Sequence, residues 1–288
     1  MRRIIDSHQH FWKYEPEEYG WIVPHMKAIR RDFLPEDLKA ERRLAGFDQS
    51  IAVQARSTIE ETAWLLELAE TNDSIAGVVG WVPLSAPGVE ADIERFAGHP
   101  KLVAFRHVVQ DEPDDRYLLR PDFNAGVARL RRFGLAYDIL IFEKHLGAAI
   151  EFVDRHPSQI FVLNHMAKPR IRDGMLSPWR ENIQELARRP NVYCKFSGVV
   201  TEADWETWKP ADLAPYFDVV LNAFTPERLM FGSDWPVLLL AGTYQGWFSL
   251  AKNAVAGLTE TEQNRVWGET AAEAYRLLPY RGSATSPA

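Results

Sequence analysis

Short apolar runs alternate along the chain with segments of helical periodicity. Runs rich in valine, isoleucine, phenylalanine and leucine recur eight times, and each has the length and composition of a β-strand. They are RIIDSH near residue 5, SIAVQAR near 53, IAGVVGWV near 79, LVAFRHVV near 106, LAYDILIF near 138, IFVLNH near 162, VYCKFSG near 195 and RLMFGSDWP near 231. Between them, apolar stripes predict helices over 59–71, 145–156 and 177–190.

Several of the apolar runs are almost continuous, which is typical of parallel strands covered on both faces. Eight strand–helix units in about 250 residues match an α/β fold of the (β/α)₈ TIM-barrel type better than an open, doubly wound sheet. The open sheet is the alternative, because a strand count does not establish closure. No linker divides the chain, so we predict one barrel domain over 1–278 and a small, polar, disordered tail over 279–288.

Composition and charge restrict the partners. The 288 residues carry a net charge of −7, which argues against a nucleic acid or an anionic membrane as the partner. No apolar run approaches the roughly 20 residues that span a bilayer, and no leader segment is visible. Cys194 is the single cysteine, so an intrachain disulfide is excluded and a buried, inert thiol is expected. We therefore expect a cytoplasmic protein.

The first strand ends in an alternating polar pattern. In a strand, residues i, i+2 and i+4 share one face, so Asp6, His8 and His10 are expected to project together. Two imidazoles held a few ångströms apart can bind a metal ion or polarise a carbonyl group. Two incidental polar residues at a strand end are the alternative interpretation.

Ionisable and polar side chains also follow most of the later strands. In a barrel of this type, the carboxyl ends of the strands form the active-site face. Buried charge is costly unless it is paired or used, so such a set at one mouth indicates a functional site, although any single member is equally well explained as a boundary residue. The set comprises Gln54, Arg56, Trp81, Arg106, His107, Asp138, His165, Lys195 and Asp234.

Two of these motifs resemble the signatures of the amidohydrolase superfamily: DSHQHFW after the first strand and FGSDWP at the last. More narrowly, the chain resembles the sugar-lactonase branch, which includes L-fuconolactone and L-rhamnonolactone hydrolases. SIAVQAR, GWV, FRHVVQDEPD, NHMAKP and KFSGVVTEADW support this resemblance, which extends from about residue 4 to residue 277. It implies an amidohydrolase-like barrel and the hydrolysis of a small sugar lactone of the L-fucono, L-rhamnono or L-galactono type.

The resemblance also bears on metals. Superfamily members with two metals carry a lysine or glutamate on strand four and a histidine on strand five, where this chain has Arg106-His107 and Asp138, so a two-metal site is not expected. The remaining candidate ligands could hold one Zn²⁺ with an open position for water; they are His8, His10, His165 and Asp234. Resemblance to metal-independent lactonases favours catalysis that requires no metal, with the single zinc as the alternative.

Lactone opening suggests a role for each of these residues. Asp234 is the expected general base on water, and a helix cap or a salt-bridge partner is its structural alternative. His8, His10 and His165 are expected to stabilise the carbonyl oxygen as it becomes anionic.

Two sets of side chains are expected to bind the substrate. The polar and charged side chains expected to bind it are Gln54, Arg56, Arg106, His107 and Asp138, and those expected to present flat faces to the sugar are Trp12, Trp21 and Trp81.

Three alternatives stay open at the level of sequence. Pocket arginines could bind a carboxylated lactone, although the lack of an arginine cluster beyond Arg56 and Arg106 favours a neutral one. The same branch contains metal-dependent decarboxylases of aromatic acids. A non-catalytic sugar-binding barrel is the third alternative, and it leaves four candidate catalytic residues without a purpose. The oligomeric state does not follow from the sequence.

Overall fold

The computed structural model describes residues 3–279, and within them eight parallel strands form one sheet in chain order. The strands are β1 (Ile5–Gln9), β2 (Gln49–Val53), β3 (Ile75–Gly80), β4 (Leu102–Val108), β5 (Ala136–Leu140), β6 (Phe161–Leu163), β7 (Val192–Phe196) and β8 (Leu229–Phe231). Each of the eight predicted runs overlaps one of them, and β1 and β2 extend beyond their runs by one residue, Gln9 and Gln49 respectively. Of the predicted tail, 280–288 lie outside the described residues, so the domain boundary stays a prediction.

Helices follow the strands. They are α1 (Pro35–Ala45), α2 (Ile59–Thr71), α3 (Val89–Ala97), α4 (Pro121–Leu130), α5 (Leu146–Arg155), α6 (Trp179–Leu186), α7 (Pro210–Arg228), α8 (Tyr244–Ala254), α9 (Glu260–Asn264) and α10 (Thr270–Ala274). The helix predicted over 59–71 coincides with α2, and α5 differs by one residue at each end. The helix predicted over 177–190 is shorter at both ends, because α6 begins after Pro178 and ends at Leu186. No helix in residues 3–279 combines the length and the apolar character needed to cross a membrane.

The sheet closes between its first and last strands. Gln9 and Trp235 form a parallel bridge, and the His10 amide donates to the Trp235 carbonyl at 2.7 Å. One step earlier, the Asp234 amide donates to the His8 carbonyl at 2.7 Å. The predicted (β/α)₈ barrel is therefore confirmed, and the open sheet is excluded. The same hydrogen bonds bring the two signature motifs side by side.

A β-bulge changes the direction of side chains on β1. Asp6 pairs with Ser50 and Gln9 with Ala52, so three steps on β1 correspond to two on β2. The Asp6 carboxylate consequently accepts hydrogen bonds from the Ser233 amide at 2.8 Å and the Tyr244 hydroxyl at 3.0 Å. The prediction that Asp6 shares a face with His8 and His10 is wrong, because the extra residue breaks the alternation.

The barrel interior has an apolar lower part and a polar upper part. Inward-facing residues of the strands form one buried cluster with residues of α10, which closes the end of the barrel where the strands begin; they include Ile5, Ile51, Val53, Val79, Ala136, Val162, Met230, Ala271 and Ala274. Above this cluster, Lys195 and Asp138 form a fully buried ion pair at 2.6 Å. The Tyr275 hydroxyl donates to Asp138 at 2.8 Å, and the Asn164 amide donates to it at 2.9 Å. This satisfied polar layer supports the site above it.

Candidate active site

Four side chains that the sequence analysis singled out meet at the carboxyl ends of the strands. Asp234 Oδ1 lies 3.3 Å from His10 Nε2 and 3.6 Å from the Nε2 atoms of both His8 and His165. The two Nε2 atoms of His8 and His10 are 3.2 Å apart. All four residues are buried. The fold thus places one carboxylate among three imidazoles.

The tautomer of His10 follows from its backbone partner. Its Nδ1 lies 2.7 Å from the Val53 carbonyl oxygen, which can only accept, so Nδ1 carries a proton. In the neutral ring, Nε2 then turns a lone pair toward Asp234 and His8. Lone pairs and a carboxylate at 3.2–3.6 Å repel one another unless a proton or a cation lies between them. The donor set is therefore suited to hold a positive charge or to accept a proton.

A strained turn after β6 orients His165. Four consecutive residues, His165 to Lys168, have φ between 47° and 59°, in the left-handed region that side chains other than glycine disfavour. The Trp179 indole donates to the Met166 carbonyl at 2.7 Å, and the Lys168 amide donates to the His165 carbonyl at 2.8 Å. His165 Nδ1 lies 2.9 Å from the Ser197 hydroxyl. Backbone strain of this kind concentrates at functional sites.

Arg106 brings a buried cation to the same cluster. Its Nη1 lies 3.4 Å from His8 Nε2 and donates to Asn164 Oδ1 at 3.0 Å. Its Nη2 donates to the backbone carbonyl oxygen of Gln54 at 2.5 Å and to the side-chain Oε1 of the same residue at 3.2 Å. Burial lowers the pKa of Arg106, and the carboxylates of Asp138 and Asp234 oppose that shift. Because guanidinium stays protonated in proteins, the site has a permanent positive charge beside His8.

The protonation states complement this charge. Burial raises the pKa of Asp234, but His165 and His10 outweigh that effect and leave the pKa of Asp234 below its ordinary value. Burial lowers the pKa of His8 well below its usual range and that of His165 to about 3. At neutral pH Asp234 is therefore ionised, which is the state that a general base requires.

The residues fit one metal ion. The ligand atoms of His8, His10 and Asp234 all lie within 4.8 Å of one another, and His165 adds a nitrogen 3.6 Å from Asp234. A tetrahedral zinc ion with bonds of about 2.0–2.1 Å separates its ligand atoms by about 3.3 Å, close to these distances. Within residues 3–279 this is the one such group. The guanidinium of Arg106 beside His8 disfavours a second divalent ion.

A cavity of about 730 Å³ opens above Asp234. Of the residues predicted to bind substrate or to act in catalysis, those that line it are His10, Trp21, Gln54, Arg56, Arg106, His107, His165 and Asp234. Trp21 is 37% exposed, and its indole donates to the Ala55 carbonyl at 3.1 Å, which ties the long β1–α1 loop to the wall.

Three residues predicted to bind substrate lie one layer behind this wall. Trp12 is fully buried, donates to the Arg31 carbonyl at 2.8 Å and packs edge-to-face against Trp21. Trp81 donates its indole N–H to His107. Asp138 is occupied by Lys195 beneath the cluster. Strand-end position identified Trp81 and Asp138, but a strand end also contributes side chains that support the wall.

Other lining residues come from loops and were missed. Glu18 lines the cavity and pairs with Arg56, whose other partner, Glu61, is fully buried on α2 behind the wall. Glu202 pairs with Lys168 at 3.6 Å, and Phe142 and Trp205 complete the wall. Burial raises the pKa of Glu202, against the effect of Lys168. The motif KFSGVVTEADW contains Glu202 and Trp205, which was the available signal, but the path of the loop is decided by the fold.

Comparison with known proteins agrees with this geometry. The family model described as Amidohydrolase matches residues 5–277. The chain belongs to the amidohydrolase family. The resemblance predicted from the two signature motifs is thereby confirmed.

Similar amidohydrolases are known from Burkholderia. A Burkholderia multivorans protein named L-fucono-1,5-lactonase is 44% identical over 284 residues, which cover 95% of this chain and 96% of the relative. A Burkholderia ambifaria protein of the same name is 36% identical over 280 residues, with 95% of each chain covered. A crystal structure of a Burkholderia multivorans amidohydrolase with bound zinc has a TM-score of 0.92 and 43% identity, and covers 96% of this chain and 100% of its own.

Proposed function

We propose that this amidohydrolase hydrolyses a sugar lactone of the L-fucono-1,5-lactone type to the free sugar acid. The observation that carries the proposal is the buried carboxylate of Asp234 among three imidazoles at the base of a cavity of about 730 Å³. Such a cavity accommodates a six-carbon lactone. The relatives at 44% and 36% identity that are named for this reaction support the same substrate class.

Asp234 moves the proton. A water molecule beside its carboxylate attacks the lactone carbonyl carbon and transfers a proton to Asp234 as the new carbon–oxygen bond forms. When the ring carbon–oxygen bond breaks, Asp234 returns that proton to the ring oxygen, which leaves as a hydroxyl group. General acid–base catalysis of this kind contributes about 10²–10⁴ in rate.

The cationic side of the cluster stabilises the carbonyl oxygen as its negative charge develops. Arg106 contributes a permanent charge next to His8, and His10 and His165 line the cavity beside Asp234. One preorganised donor at such an oxygen is worth about 3 kcal/mol. We propose that these groups suffice, because Arg106 already places positive charge where the anion forms.

A zinc ion fits the site without being needed for this scheme. His8, His10 and Asp234 would hold it, with His165 as a fourth candidate ligand. When bound, zinc would polarise the carbonyl group and lower the pKa of water. The zinc-bound structure of the Burkholderia relative supports binding of the ion here.

The wall favours a neutral lactone. Arg56 is paired with Glu61 and Glu18, and Lys168 is paired with Glu202, so their charges are already balanced. A substrate carboxylate would have to displace one of these acidic partners. A neutral, hydroxylated lactone instead finds acceptors and donors in place.

We propose that the protein acts in the cytoplasm in carbohydrate catabolism, with no nucleic-acid partner.

The test is a pH-indicator assay on a panel of L- and D-aldonolactones. Wild-type protein should release acid fastest from a six-carbon L-sugar lactone. Asp234→Asn should lower kcat at least about 100-fold with an unchanged circular dichroism spectrum. Asp218→Asn, the same change at an exposed position on α7, is the control and should match wild type. Near-normal turnover by Asp234→Asn would refute the mechanism. If wild-type protein releases acid from none of the lactones, the proposed substrate class is refuted.

A further inference from the structure

His107 lies between an indole and a carboxylate at the edge of the cavity. Trp81 Nε1 donates to His107 Nδ1 at 3.2 Å, and His107 Nε2 lies 2.6 Å from Glu112 Oε1. His107 and Glu112 line the cavity, whereas Trp81 lies behind them. The three residues come from the end of β3, from β4 and from the short turn after it. They form one chain of hydrogen bonds that ends in the cavity.

The indole fixes the proton on this imidazole. An indole N–H can only donate, so His107 Nδ1 accepts, and the ring proton of the neutral imidazole lies on Nε2, where it donates to Glu112. The His107 ring stacks face-to-face on the Tyr117 ring, with 4.9 Å between the ring centroids and 7° between the ring planes. This contact prevents the His107 ring from tilting. The Tyr117 hydroxyl is held in turn at 3.0 Å from the Ser85 hydroxyl. The fixed His107 ring therefore holds the Glu112 carboxylate in place through one hydrogen bond.

The Glu112 carboxylate has acceptor capacity left over. A carboxylate offers about four lone-pair sites, and His107 uses one of them. The side chain is 27% exposed, and within residues 3–279 it forms no ion pair with a lysine or arginine. Arg56 and Lys168, the nearby wall cations, are balanced by other acids. A fixed carboxylate that lines the cavity and has no lysine or arginine of the described chain within ion-pair distance is suited to accept hydrogen bonds from hydroxyl groups.

We propose that Glu112 is a specificity-determining residue, which accepts hydrogen bonds from hydroxyl groups of the substrate's sugar chain. Trp81 and His107 are positioning residues, which act through Glu112. The sequence predicts that Trp81 contacts the sugar directly. In this proposal Trp81 instead orients His107, which in turn orients Glu112. The inference rests on the proposed lactone hydrolysis and adds to it the group that distinguishes a hydroxylated lactone from a plain one.

The experiment compares two lactones that share a ring and differ in hydroxyl groups. One is a six-carbon L-aldono-1,5-lactone and the other is δ-valerolactone, which has no hydroxyl group. Glu112→Gln should lower kcat/KM for the aldonolactone about 10- to 100-fold, mainly through KM, as expected for loss of a charged hydrogen bond. Its kcat/KM for δ-valerolactone should stay within about 2-fold of wild type.

Two further variants test the relay and the charge change. Trp81→Phe keeps the apolar packing but removes the indole donor, and it should show the same selective loss at a smaller size, about 3- to 10-fold. Glu67→Gln removes one negative charge from the exposed face of α2 and should leave both substrates unaffected. Thermal melts of all variants check that the fold is retained.

The outcomes separate this inference from the proposed function. An equal loss on both lactones would show that Glu112 only supports the wall, and no loss on the aldonolactone would show that it does not bind the sugar; either result overturns the inference. If wild type hydrolyses neither lactone, the proposed function fails. Calorimetric titration with the neutral aldonolactam of the same configuration then decides: weaker binding by Glu112→Gln than by wild type supports the inference, and equal binding overturns it.

Discussion

The position of His165 depends on a glycine two residues after β7. Gly198 has φ +67°, and a Cβ atom added there would lie 2.3 Å from His165 Nδ1 and 2.5 Å from its Cγ. Ordinary van der Waals contact begins at 3.4 Å, so the imidazole must withdraw by about 1 Å (3.4 − 2.3) in Gly198→Ala. That movement pulls Nδ1 away from the Ser197 hydroxyl and Nε2 away from its position beside Asp234.

Two separate losses are expected from Gly198→Ala. The left-handed backbone costs a residue with a Cβ about 1–2 kcal/mol of folding free energy. A displacement of about 1 Å in a catalytic group costs about 100-fold in rate, so kcat/KM should fall by roughly that factor. The second loss is specific to the close approach of Gly198 to His165.

Gly174→Ala is the matched control, because Gly174 has φ +64° and nothing lies within 4 Å of its added Cβ. It should show only the loss of about 1–2 kcal/mol that the left-handed backbone causes in urea denaturation, without a change in lactone turnover. Both variants and wild type are compared by equilibrium unfolding and by the pH-indicator assay. Wild-type kcat/KM in a folded Gly198→Ala protein would refute the reasoning, since it would show that the position of His165 does not matter for the reaction.

Two predictions concern the layer below the site and the metal. Asp138→Asn leaves the fully buried Lys195 without its carboxylate and should lower the free energy of unfolding by about 3–5 kcal/mol. Urea denaturation measures this loss, with Asp218→Asn as the control. A loss equal to that of the control would show that the Asp138–Lys195 ion pair does not stabilise the fold. Chelation, with metal content measured in parallel, should leave lactone hydrolysis unchanged. Activity that disappears on chelation and returns with zinc would transfer the cationic role from Arg106 to the ion.

Much of this protein was accessible from the sequence because its signals are local. Apolar runs of strand length and helical stripes depend on residues a few positions apart, so all eight strands and the barrel could be predicted. The rule that strand ends form the active face selected a larger set of side chains, and the resemblance to the amidohydrolase superfamily reduced it to His8, His10, His165 and Asp234. Their convergence needs only the barrel and the chain order of the strands.

Tertiary structure decided the details that depend on register and on loop packing. One extra residue in β1 turned Asp6 toward Tyr244 instead of toward His8, and no periodicity reveals such an insertion. Trp81 contacts His107 of the neighbouring strand β4 and does not line the cavity, whereas Glu112 enters the cavity from the turn after β4. Local pattern determines which residues reach the mouth of the barrel, whereas contacts between distant segments determine which of them face the substrate.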